Sequence, residues 1–140
     1  MRYPVVLSIC GKQCYLDQEP DQIELITEGI LEQTQTGWIL TYEESSLTGL
    51  EGVTTTFHLS EDEIVLDRTG RLRSQMVFRE GVSHDSLYEM EFGALMITVC
   101  ATRIAWQLSP QGGTVDLDYS IGIEQSAAGS ISYHLEIRGK

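Results

Sequence analysis

Between Thr114 and Gln125 the chain alternates with a period of two. Val115, Leu117, Tyr119, Ile121 and Ile123 fall on one face of an extended strand, and Asp116, Asp118, Ser120, Gly122 and Glu124 fall on the other. Such a strand buries one side and wets its opposite. The pattern returns after a predicted turn at Ala127 to Gly129, with Ile131, Tyr133, Leu135 and Ile137 inward and Ser132, His134, Glu136 and Arg138 outward. Carried back along the chain, the same rhythm predicts strands near 4–15, 21–34, 37–44, 52–60, 63–68, 71–80, 83–92, 94–108, 114–125 and 130–138. Turns are expected at Thr36-Gly37, Glu61-Asp62, Thr69-Gly70 and Pro110 through Gly113, where glycine takes positive φ without steric cost. No helical period, linker or repeat interrupts the series.

Two segments change phase. The inward set Leu95, Ile97, Val99 gives way to Ile104 and Trp106 on the other parity, which a β-bulge near Ala101 to Arg103 reconciles. Gly29 separates Ile23, Leu25 and Thr27 from Ile30 and Leu31, and marks an expected bend. Short connections make consecutive strands antiparallel neighbours, and closing the sheet removes its two exposed edges. The expected fold is therefore all-β: one domain over residues 1–140, a single antiparallel up-and-down β-barrel of about eight to ten strands. Alternation alone leaves a two-sheet sandwich open.

Composition narrows the partners. Twenty-one acidic residues against nine basic ones give a net charge of −12, a field that repels phosphate backbones and anionic lipid, so neither nucleic acid nor a membrane surface is an expected partner. The apolar run opening "MRYPVVLSIC" is too short for a signal peptide or a span. Cys10, Cys14 and Cys100 form an odd set without CxxC spacing, which points to free thiols and a cytoplasmic protein. Cys10 and Cys14 share one side of a strand, but about 13 Å of rise separates them, too far for a disulfide.

The segment "LDRTGRLRSQMVFREG" followed by "SLYEMEFGALMITV" resembles the YwiB-like family of small bacterial proteins of unknown function. The shared features are Arg68-Thr69-Gly70, Met76 and Phe78, Gly81, Tyr88, and Phe92-Gly93. "TEGILEQTQTGWILTYEE" and the overall length also look like that family, so the resemblance covers nearly the whole chain. It implies a calycin-like barrel, the architecture of lipocalins and fatty-acid-binding proteins, and it implies no activity. The Gly-x-Trp motif that opens lipocalins is missing, as is their terminal arginine, so the secreted ligand carriers are not implied.

Four of the seven arginines lie between residues 67 and 81. Arg71, Arg73 and Arg79 take the outward parity with Gln75 and are expected to pair with surface carboxylates. Arg68 shares the parity of Ile64 and Leu66, which turns its guanidinium into the barrel near one rim. A buried pair with a carboxylate such as Glu44 is one role for it. The other is a clamp on an anionic head group, which a planar fork of donors suits. Trp38, Tyr42, Phe57, Phe78, Tyr88 and Phe92 fit the inward parity, and with Met76 could line a pocket or simply fill the core. The expected ligand-binding set is Arg68, Trp38, Tyr42, Met76, Phe78 and Tyr88, near Ser74, Thr55 and Thr27.

Catalytic signatures are scarce. His58 and His134 have outward parity among polar neighbours; His84 beside Asp85 is the one acid/base pair worth naming. Adjacent Glu43 and Glu44 point to opposite faces and cannot act together. No nucleophile elbow, phosphate-cradling loop, HExxH or dinucleotide fingerprint occurs, so no catalytic residue, cofactor or metal is expected. "ESSLTGLEGVTT" presents Leu47 and Leu50 as a lid, a partner contact or a satellite cluster. The leading expectation is a non-enzymatic barrel binding a small anionic or amphipathic ligand at its mouth. A filled barrel docking a basic protein is the alternative, and an enzyme using His84 and Asp85 comes third.

Overall fold

The structure, a computed structural model, describes residues 1–16, 18–46 and 50–140. Ten strands follow one another: β1 (Arg2–Tyr15), β2 (Asp21–Gln33), β3 (Gly37–Glu43), β4 (Val53–Ser60), β5 (Ile64–Gly70), β6 (Ser74–Phe78), β7 (Ser83–Met90), β8 (Gly93–Ser109), β9 (Gly112–Ile123) and β10 (Ser126–Gly139). Every strand predicted from the alternation is present.

All ten strands form one antiparallel sheet in the order β6-β5-β4-β3-β2-β1-β10-β9-β8-β7. β1 and β10 share a long ladder from Val5↔Gly139 to Tyr15↔Gly129. The barrel is nearly closed where β6 meets β7. There Arg73 and Arg79, flanking β6, bridge to Glu89 of β7 and to Val82 just before it, and between these bridges the Ser86 hydroxyl donates to the Gln75 carbonyl at 2.5 Å. This seam is the loosest junction in the barrel.

Inward residues meet in one core. Val5, Leu7, Leu31, Leu40, Phe57, Ile64, Leu66, Phe78, Val99, Val115, Leu117 and Leu135 are all essentially inaccessible. The expected bulge lies between Ala101 and Arg103, and restores Ile104 and Trp106 to the interior side. β2 pairs with β1 along nearly its whole length but with β3 only from Gly29↔Tyr42 to Gln33↔Trp38, so the strands part at the predicted bend. A Cβ on Gly29 would lie 2.7 Å from the Thr41 carbonyl oxygen, which is why the crossing needs glycine.

Three local expectations are corrected. The turn before β10 is at Glu124-Gln125, both at positive φ (51° and 68°), whereas Ala127/Gly129 is a register shift inside the strand. β5 continues through Thr69 and Gly70, so its turn falls on Arg71 and Leu72. Phe92, assigned inward by parity, is 96% exposed at the tip between β7 and β8, because the turn lifts it off the sheet. Leu47 lies outside the described residues.

Candidate functional site

Arg68 follows Ile64 and Leu66 on the inner face of β5, between Thr55 of β4 and Ser74 of β6. It is 8% exposed. Its Nη2 donates to the Tyr133 hydroxyl across the barrel at 3.3 Å, while its Nε and the Ser74 hydroxyl are buried without a hydrogen-bond partner among the described residues. Each buried polar group left unsatisfied costs about 1–3 kcal/mol. Burial disfavours the guanidinium charge, but the phenolic oxygens of Tyr133 and Tyr119 outweigh it, and the Arg68 pKa rises above its ordinary value. The group stays cationic.

Beside Arg68 is a small cavity of about 70 Å³, whose walls include Tyr133, Tyr42, Glu44, Gly11, Leu25 and Leu50. Ile23 and Leu25 come from the part of β2 that has left β3, so this recess sits behind the gap between those strands. Gly11 keeps the wall open: a Cβ there would meet the Tyr133 ring at 3.3 Å. Glu44 brings a negative group to the same recess. It accepts a 2.5 Å hydrogen bond from the Thr55 hydroxyl and another from Tyr42.

Five of the chain's six tyrosines, Tyr15, Tyr42, Tyr88, Tyr119 and Tyr133, surround this end of the interior. Tyr119 and Tyr133 stack with centroids 6.4 Å apart, and Tyr119 also packs on Phe78 at 4.5 Å. Burial, then the charge of Glu44, raises the Tyr42 pKa; burial, then Tyr133, raises that of Tyr119. The native state therefore holds protons that the unfolded chain loses near pH 10, and this stabilisation disappears as pH rises beyond that. Tyr42 and Tyr119 are expected to ionise only in step with unfolding. Tyrosinate absorbance followed beside circular dichroism checks this, and complete ionisation of a still-folded barrel would contradict it.

Of the residues picked out from sequence, Arg68 and Tyr42 line the recess, and Tyr88 interacts with Tyr15 and Tyr119 in the same cluster. Met76 lies opposite Leu66, and Phe78 opposite Ile64, deeper in the core. Trp38 is buried four residues before Tyr42, toward the far end of β3. Tyr15, Tyr119 and Tyr133 join the cluster beyond the expected set; alternation turns Tyr119 and Tyr133 inward but does not show that they meet Arg68. Glu44 is buried and Glu43 exposed, as opposite faces require. Among the outward arginines, Arg79 pairs with Glu63 at 3.0 Å, and Arg71 Nε donates to the Glu51 carbonyl.

The acid/base candidate is not assembled. His84 Nδ1 is buried without a partner among the described residues, and the Asp85 carboxylate accepts from Thr98 on the other face. His58 is bonded to Asp67 at 3.0 Å, and His134 to Asp116 at 2.6 Å. Among the described residues no group of His, Cys, Asp and Glu is placed to hold a metal ion, and no helix is long and apolar enough to cross a membrane.

Comparison with known proteins agrees with this architecture. The crystal structure of the ywiB protein from Bacillus subtilis superposes with a TM-score of 0.88 over 99% of this chain and 93% of that one, at 23% identity, a likeness of fold. No curated protein matches the chain. Residues 7–137 match the family described as a domain of unknown function, DUF1934. A family match across almost the entire barrel, joined to the YwiB fold, places the chain in the YwiB-like DUF1934 family.

Proposed function

We propose that the barrel binds a compact anionic head group, of carboxylate size, in the recess beside Arg68, while the rest of an amphipathic ligand runs out through the gap between β2 and β3. The supporting observation is the buried guanidinium whose Nε lacks a partner among the described residues, at the edge of an open space. A water molecule occupies about 30 Å³, so about 70 Å³ admits a head group and little more. Whole drug-sized ligands need cavities of roughly 300 Å³ or above. The reading is of a binding protein without catalysis, and a lipocalin-like interior chamber is not part of it.

Native mass spectrometry of protein purified from its source, against a denatured control, tests for a retained small molecule. Titration with short-chain carboxylates, followed by amide chemical shifts, tests the site. Arg68→Met is expected to weaken that binding about ten- to a hundredfold, the value of one or two charge-assisted hydrogen bonds. Equal binding by both proteins would refute the clamp.

A second reading, docking of a basic protein partner, draws on the outer face, where Ile26 is 72% exposed between Glu24 and Glu28 on β2. Ile26→Lys separates the two readings, since its positive charge would repel a basic partner and leave carboxylate binding intact.

A further inference from the structure

Among the described residues only two charged side chains are buried, Arg68 and Glu44; they have opposite signs and line the same recess. Thr55 links their positions. It lies directly opposite Arg68 in the β4–β5 ladder, where facing residues keep their Cβ atoms about 4.5–5.5 Å apart, and its hydroxyl donates to Glu44 at 2.5 Å. Beyond the effect of burial, Glu44 raises the Tyr42 pKa and Arg68 lowers it, so both charges act on one phenol. Arg68 gives a hydrogen bond to Tyr133 and keeps Nε without a partner among the described residues. A buried donor of this kind calls for an acceptor.

A buried cation and a buried anion on one small space favour a ligand that carries both signs, because each charge is then met by its opposite in a medium that screens weakly. We propose that the head group in the recess is that of a free apolar α-amino acid, its carboxylate on Arg68 and its ammonium on Glu44. This rests on the reading of the recess as a head-group site and names the class of ligand. A carboxylate has about four lone-pair positions, so Glu44 can keep its bonds from Thr55 and Tyr42 and still accept from an ammonium group.

Size, lining and net charge point the same way. About 70 Å³ is roughly two water volumes, which suits charges borne on a single carbon and not charges at the ends of a chain. Ile23, Leu25 and Leu50 border the space on the side where β2 leaves β3, and suit an aliphatic side chain passing outward. A simple carboxylate is repelled by the chain's charge of −12 and would set its own charge beside Glu44. A zwitterion is neutral overall and escapes both costs.

The test is titration of the intact chain near neutral pH with leucine and with 4-methylpentanoate, the same molecule without its ammonium, followed by amide chemical shifts. Leucine is expected to bind about ten- to a hundredfold more tightly, the value of one charge-assisted hydrogen bond in a buried site. Two further compounds should bind more weakly than leucine: 6-aminohexanoate, with the two charges at opposite ends, and the uncharged 4-methylpentanamide. Glu44→Gln keeps an acceptor for Thr55 and Tyr42 while removing the negative charge. It should weaken leucine and strengthen 4-methylpentanoate, a crossing that a merely loosened recess would not produce. Leucine binding no tighter than 4-methylpentanoate or 4-methylpentanamide would overturn the amino-acid assignment and leave the anion clamp standing, and this comparison needs no variant. Both ligands shifting in the same direction in Glu44→Gln would also overturn it. If neither leucine nor 4-methylpentanoate binds the unaltered protein, the assignment and the clamp fall together.

Discussion

Truncating Phe57 to alanine is expected to lower the free energy of unfolding by about 3–5 kcal/mol, read from urea denaturation. Phe57 is 1% exposed, lies between Leu40 and Leu66 on the neighbouring strands, and stacks on Tyr42 at 6.4 Å. The loss combines the transfer energy of the ring with the void it leaves, because flanking strands held by ladders on both sides collapse poorly into the space. A domain of this size is stable by about 5–15 kcal/mol, so one substitution removes a large share. Because Phe57 supports Tyr42, the void should also loosen the wall of the Arg68 recess. A loss under about 1 kcal/mol would show that the barrel interior is not packed as described.

Gly112→Ala is expected to cost about 3 kcal/mol or more, by a different mechanism. Gly112 has φ of 121°, and a Cβ there would lie 2.0 Å from the Ile137 carbonyl oxygen. That carbonyl belongs to the neighbouring β10 backbone and has no side-chain freedom with which to move away. Gly81 supplies the control: its φ is 76°, yet nothing lies within 4 Å of its added Cβ. Gly81→Ala should therefore cost only the left-handed penalty, about 1–2 kcal/mol. Thermal unfolding of the two variants separates backbone strain from collision, and equal losses would show that collision contributes nothing.

What the sequence reveals and conceals follows from the geometry of a strand. Alternation reports the face on which a residue sits, which is why Arg68 could be turned inward from the parity of Ile64 and Leu66 alone. It does not report height along the barrel. Trp38 and Tyr42 share a face of β3, but four residues at about 3.3 Å each put only Tyr42 beside Arg68. Nor does it report which distant strands meet. Tyr133 reaches Arg68 only because β10 closes on β1. Phe92 shows the remaining limit, since parity stops applying where a turn leaves the sheet.

The β1–β10 ladder also bears on the order in which the chain assembles. Most neighbouring strands are joined by short turns, and isolated hairpins of this kind form in roughly 1–10 μs. The pairing of Val5 with Gly139 instead waits for the two ends of the chain to meet, with the loop entropy of the intervening strands against it. Folding should consequently be slow for the chain's length, on the millisecond-to-second scale of barrels rich in non-local contacts. The event that sets its pace is the docking of the first strand on the last.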